Sequence, residues 1–228
     1  MAIRVYGHPW SINTRKVLAV LAEKNQEAEL VLVMVPKGEH KGAQHVARHP
    51  FGKVPALEHD GFLLYETRAI NHYLNRVLPG AALVPEDARA AARVEQWLGV
   101  AESYFIPHVH PLLVESLFRR FLGGEQNAAV IEAGRKGMAA ALDAADQRLG
   151  SSPYLAGEAF SLADIHWMPY LEYLVRTGEP QHISGRKHLA EWWNRVGERP
   201  SWQRVARSGP QAYERGMTAA VIEKLYRR

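Results

Sequence analysis

The sequence predicts an α/β unit followed by an all-helical unit, and three observations carry that expectation. Residues 1–78 alternate strand-like and helix-like segments, Pro79 to Pro85 is a break rich in proline and small residues, and no strand signal returns beyond it. The chain has 228 residues, 47% hydrophobic and 23% charged, enough to bury one large core or two small ones.

The first unit reads β-α-β, then a loop with room for a short helix, then β-β-α. Ile3 to Tyr6 is strand-like and is broken by Gly7-His8-Pro9. Thr14 to Lys24 follows with Val17, Leu18 and Leu21 at helical spacing. Glu29 to Val35 is a second strand, closed by Pro36-Lys37-Gly38. Val54 to Glu58 and Phe62 to Tyr65 are short strands joined by Asp60-Gly61, a dipeptide suited to a tight hairpin turn. Glu66 to Leu78 completes the unit as a helix. That order predicts a small mixed sheet with helices packed on it.

The expected domains are 1–79, a linker over 80–87, and 88–228. In the second domain helices are expected over 88–122, 125–149, 162–176 and 189–199, with breaks at Ser151-Ser152-Pro153 and Gly178-Glu179-Pro180. Ser161-Leu162-Ala163-Asp164 has capping-box spacing. Asp164 is therefore read as a cap that satisfies backbone donors, rather than as a catalytic acid.

Composition narrows the chemistry. The chain has no cysteine, which excludes disulfides, zinc–thiolate sites and a thiol nucleophile of its own. Any reactive sulfur must arrive on a ligand. The formal charge of +4 comes from scattered basic residues, which reads as a solvated surface and not as a nucleic-acid face. No run approaches the roughly 20 apolar residues that cross a bilayer, and the first residues read as strand rather than leader. A cytoplasmic protein is expected, with no membrane and no nucleic-acid partner. His108 and His110 are interrupted by prolines and lack an adjacent acid, so no metal is expected there.

Four motifs occur in order: Gly7-His8-Pro9-Trp10-Ser11-Ile12-Asn13-Thr14-Arg15-Lys16-Val17-Leu18, Gly38-Glu39-His40-Lys41, His49-Pro50-Phe51-Gly52-Lys53-Val54-Pro55-Ala56-Leu57, and Leu64-Tyr65-Glu66-Thr67-Arg68-Ala69-Ile70. Followed by a helical half containing Ser161 to Asp164, they resemble the serine-type, phi-like class of cytosolic glutathione S-transferases over nearly the whole chain. His49, Lys53 and Thr67 stand where that class commonly has Asn, Gln and Ser. The replacements at 53 and 67 keep a donor.

The resemblance implies a thioredoxin-like domain followed by an all-helical domain, usually as a homodimer. It implies a detoxification enzyme that conjugates glutathione, its co-substrate, to small hydrophobic electrophiles without a metal. Glutathione-dependent peroxide reduction or isomerisation at the same site is the alternative, as is non-catalytic binding of glutathione or hydrophobic ligands.

It also implies residue roles. A free thiol titrates at about 8.5, so the enzyme must favour the thiolate. Ser11, just ahead of a helix, would donate its hydroxyl to the sulfur, aided by the helix N-terminus. By position alone Ser11 reads first as a helix cap, and the other motifs turn the reading to the thiolate role. Tyr6 is the competing donor, although its spacing from Gly7 matches a core aromatic in the family the chain resembles. Glutathione is expected to meet Ser11, Ile12, His40, Lys41, Lys53, Val54, Glu66 and Thr67. In that set Val54, ahead of an implied cis proline, would pair with the peptide as an added strand would. Glu66 suits the γ-glutamyl ammonium, Thr67 its carboxylate at a helix start, and His40, Lys41 and Lys53 the glycyl carboxylate. Trp10, Ile12, Tyr104, Pro107, His108, Pro111 and Leu112 are expected to line an electrophile pocket. Phe51 is a candidate for insertion into a partner protomer, and Arg68 for pairing with carboxylates.

Overall fold

Strands and helices alternate in the first unit as β1 (Ile3–Gly7), α1 (Ile12–Glu23), β2 (Glu29–Leu32), α2 (Ala43–Val46), β3 (Ala56–His59), β4 (Phe62–Tyr65) and α3 (Thr67–Val77). The computed structural model describes residues 2–119 and 124–207. The four strands form one mixed sheet in the order β2-β1-β3-β4, with β1 parallel to β2 and antiparallel to β3, and β3 antiparallel to β4. Asp60 (φ 48°) and Gly61 (φ 85°) make the β3–β4 turn, so the Asp-Gly pair does what its chemistry suggests. Two single 3₁₀ turns, Val35–Lys37 and Glu39–Lys41, lead into α2.

Val5, Ala56 and Leu57 of the sheet and Val17, Val20, Ile70 and Leu74 of the helices are fully buried. Gly7 brings the end of β1 against α1: a Cβ there would lie 2.5 Å from Oγ1 of the fully buried Thr14. Gly7→Ala is therefore expected to cost about 2 kcal/mol, the scale of overpacking a closed core, read as a lowered urea midpoint. A midpoint equal to wild type would contradict this packing argument. Lys24, also buried, donates Nζ to the carbonyls of Asn75 (2.9 Å) and Leu78 (3.4 Å) and so caps the C-terminal end of α3.

The second unit spans 82–198 and contains α4 (Ala88–Val100), α5 (Ile106–Leu113), α6 (Ala128–Leu149), α7 (Leu162–Arg176), α8 (Gln181–Ser184) and α9 (Lys187–Gly197). The single helix expected over 88–122 is instead interrupted by π-helical turns at Ala101–Phe105 and Val114–Arg119, and residues 120–123 lie outside the described residues. Pro107 and Pro111 lack the N–H that a regular ladder needs, and the hydrogen bonding shifts around them. α5 approaches α6 closely because Gly134 and Gly137 leave room: a Cβ would fall 2.7 Å from Leu112 Cβ at the first and 2.2 Å from His108 Nδ1 at the second. α7 is buried from Leu162 to Leu174, with Trp167 stacked on Phe105 at 4.5 Å.

The expected 88–228 domain requires a correction. Residues 199–207 belong to the first unit, where α10 (Pro200–Arg207) packs on α1. Arg199 donates through Nε and a terminal nitrogen to both carboxylate oxygens of buried Glu23 at 2.7 Å, and Ser201 joins the same carboxylate. Trp202 lies under the guanidinium of Arg15, 5.1 Å from its ring centre. The expected helix end at 199 is where a new helix begins, because Pro200 suits a first turn. Residues 208–228 lie outside the described residues.

Candidate active site

Sheet register gathers the candidate residues. Tyr6 pairs with Ala56, and Ala56 with Tyr65. The C-terminal end of β1, the start of β3 and the end of β4 therefore share one edge of the sheet. The chain leaves or enters that edge at Ser11, at Val54 and at Glu66-Thr67.

After β1 the backbone turns sharply, with Ser11 N–H donating to His8 C=O at 2.8 Å and Trp10 N–H to His8 Nδ1 at 3.2 Å. Because Nδ1 accepts, the neutral His8 ring carries its proton on Nε2. Ser11 (φ −69°, ψ 122°) is the N-cap of α1, and its Oγ accepts from Thr14 N–H at 3.2 Å. That bond uses a lone pair and leaves the hydroxyl proton available to an acceptor. The cap and the donor role are thus compatible. The first amides of α1 have no intrahelical acceptor and add partial positive charge beside Ser11.

Tyr6 is committed elsewhere. Its hydroxyl donates to Glu58 Oε2 at 2.6 Å, and the Arg48 guanidinium lies 4.2 Å above its ring. The bond to Glu58 is the main cause raising the phenol pKa, and the same bond holds the Glu58 carboxyl below its usual range. Tyr6 clusters with buried Val33 and Ala56, and Val31 and Val54 pack against that cluster.

Opposite this turn, His40 and Lys41 occupy the second 3₁₀ turn, and Lys41 Nζ donates to Phe51 C=O at 3.0 Å. Burial lowers the His40 pKa, and the charges of Lys41, His45 and Lys53 lower it further. The three groups expected at the glycyl end, the donor His40 and the cations Lys41 and Lys53, therefore lie within electrostatic range of one another. The Val54–Pro55 bond is cis, and the Val54 N–H and C=O make no hydrogen bond among the described residues. Glu66 is exposed, and its backbone (φ 72°, ψ 115°) lies where a side chain costs of order 1–3 kcal/mol. Thr67 follows as the first residue of α3.

The residues expected to line an electrophile pocket divide. Tyr104 is 63% exposed, and Pro107, His108 and Pro111 are also exposed. Trp10 and Ile12 are buried. Leu112 needs correcting to a core position: it is fully buried and packs against Gly134 of α6. Phe51 is 65% exposed. Among the described residues no group of three or more His, Cys, Asp or Glu side chains could hold a metal ion, and no helix is long and apolar enough to cross a membrane.

Known proteins share this fold. Residues 1–76 match the sequence family described as glutathione S-transferase, N-terminal domain, and residues 105–200 match its C-terminal domain. Glutathione S-transferase 3 of Zea mays is 36% identical over 212 residues, covering 91% of this chain and 95% of that protein. The chain belongs to the glutathione S-transferase family. A crystal structure of glutathione transferase F7 from Populus trichocarpa superposes with a TM-score of 0.86 at 34% identity, covering 91% of this chain and 99% of that one. Maize glutathione S-transferase I, in complex with an atrazine glutathione conjugate, gives 0.85 at 30% identity, covering 91% and 98%. The relatives are plant enzymes of the phi class, and the first unit is their thioredoxin-like domain.

In this transferase two features of the site carry no sequence signal of their own. The left-handed backbone at Glu66 is unexpected for a residue with a side chain. His8 reads in the sequence as part of a strand break and of the first motif, with nothing to mark its burial, yet it is 5% exposed and burial lowers its pKa to about 4, against an opposing effect of Glu39. A depressed histidine pKa means that the unfolded chain takes up the proton first as pH falls. The stabilisation is complete above about 6.5 and is lost on the way to 4. At about 1.4 kcal/mol per pKa unit, His8 is expected to remove roughly 3 kcal/mol across that window. His8→Asn keeps an acceptor for Trp10 N–H and should flatten the decline of urea midpoints between pH 7 and pH 4. An unchanged slope would exclude His8 as its source.

Proposed function

We propose that this transferase conjugates glutathione to hydrophobic electrophiles, with the Ser11 hydroxyl holding the glutathione sulfur as a thiolate. The observation that supports it most is the division of labour on either side of the turn after β1. Ser11 accepts from Thr14 N–H and keeps its own proton to donate, whereas the Tyr6 proton is taken by Glu58.

The rest of the tripeptide has matching groups at the same sheet edge. The unpaired main chain of Val54 suits the cysteinyl backbone. Thr67 at the start of α3, with the carboxylate of Glu66, suits the zwitterionic γ-glutamyl end. His40, Lys41 and Lys53 suit the glycyl carboxylate, and the Ile12 amide adds a donor beside the sulfur. In the helical unit Tyr104, Pro107, His108 and Pro111 present solvent-exposed, largely apolar surface that we assign to the electrophile. Exposed Phe51 is assigned to the contact with a second protomer in a cytoplasmic homodimer.

Two measurements test this reading. Retention on immobilised glutathione, with elution by free glutathione, reports binding. Steady-state conjugation of glutathione to an activated aryl halide reports chemistry. Binding without turnover would leave a ligand carrier and overturn the enzymatic assignment of the site.

A further inference from the structure

We propose that His45 is a positioning residue for glutathione, acting through the Lys53–Val54 peptide; this rests on the reading above that the Val54 main chain holds the tripeptide. His45 lies in the last turn of α2 and is 3% exposed. Its Nε2 is 2.6 Å from the carbonyl oxygen of Lys53. A carbonyl only accepts, so Nε2 is the protonated nitrogen and His45 is the donor. Nδ1 is then a bare acceptor, buried and without a hydrogen-bond partner.

A peptide unit is planar, and in the trans form its C=O and N–H point in opposite directions. The Lys53 carbonyl and the Val54 N–H belong to one such unit, since the cis bond is the next one along. Holding the carbonyl toward α2 therefore turns the Val54 N–H away from α2, where it meets no protein acceptor among the described residues. The imidazole is itself held. Its ring stacks on buried His49 with centroids 6.4 Å apart and planes 24° from parallel, and His49 packs on Tyr65 at 4.9 Å. Tyr65 is the last residue of β4, directly before Glu66. One buried donor thus fixes the orientation of the peptide that faces the ligand without touching the ligand.

His45→Phe keeps a ring against His49 and removes the donor, and His45→Gln restores an N–H at a comparable reach. For His45→Phe the expected result is a KM for glutathione raised about tenfold, the scale of one main-chain hydrogen bond with the ligand, with kcat at saturating glutathione within twofold of wild type. The amide resonance of Val54 in the ligand-free protein should move in the same variant. His45→Gln should return both toward wild type. A KM within twofold of wild type in His45→Phe, an unmoved Val54 amide, or a folded His45→Gln as impaired as His45→Phe would each overturn the proposal. If His45→Phe does not fold, a wild-type KM in His45→Gln supports it and a raised one overturns it. Titrating wild type with glutathione tests the underlying reading separately: a Val54 amide that does not respond would defeat that reading whatever the variants do.

Discussion

Ser11→Ala is expected to lower kcat/KM for glutathione conjugation about 10²-fold at pH 6.5 and to raise the pKa of the bound thiol. In the proposed role the hydroxyl donates to the charged sulfur, and hydrogen bonds to charged groups are worth about 1.5–3 kcal/mol, or one to two units of thiol pKa. The deficit should shrink as pH rises past 8.5, where glutathione ionises without help. Alanine also removes the acceptor for Thr14 N–H, at a cost of about 1 kcal/mol in stability. Ser11→Asp separates the two roles: its carboxylate still caps α1 but offers no proton and repels the thiolate. We expect Ser11→Asp to unfold at a urea concentration close to wild type and to be inactive, and Ser11→Thr, which keeps a hydroxyl, to retain measurable turnover. Full activity in Ser11→Ala with an unchanged pH profile would remove Ser11 from the chemistry.

Asp164→Ala is expected to lose about 4 kcal/mol or more of stability, enough to leave little folded protein at 37 °C. The carboxylate is fully buried and accepts four hydrogen bonds. Oδ1 takes Leu155 N–H (3.1 Å) and Trp192 Nε1–H (2.9 Å), and Oδ2 takes the Ser161 N–H (2.9 Å) and hydroxyl (3.0 Å). Burial pushes its pKa up while the four donors pull against that. The group joins the loop before α7, the start of α7 and the side of α9. Truncation strands these donors in a closed interior, which costs far more than the bonds contribute when made. Asp164→Asn keeps the shape and one oxygen, and should fall between the two. The urea midpoint measures the loss, and activity per folded molecule should be unchanged, since the role is structural. A midpoint within 1 kcal/mol of wild type would refute this account of Asp164.

Much of the site was readable as residue types in order. The serine before a helix, the proline after Val54 and the Glu66-Thr67 helix start are local chemistry, and each is found where local rules place it. The Asp-Gly hairpin and the capping box at Ser161 are of the same kind: a turn or a helix end needs particular groups within a few residues, so a short window contains the whole reason. The interruptions in the helix expected over 88–122 are the instructive exception. Pro107 and Pro111 announced them, but whether a chain kinks, stops or shifts its hydrogen bonds around a proline depends on what packs beside it, here the glycine face of α6.

The sequence by itself therefore determined the fold class and the break near residues 79–87, and it raised the expectation of which groups would meet a tripeptide thiol. Only the tertiary structure shows what occupies the Tyr6 hydroxyl, because its partner is Glu58, 52 residues away on a neighbouring strand. It likewise decided that Leu112 is core, that α10 returns to α1 through Glu23 and Arg199, and that His45 holds the peptide before Val54. In each case the deciding partner is distant in sequence or on a separate element. Side-chain burial and hydrogen-bond commitment are set by that partner, and periodicity within one element carries no record of it.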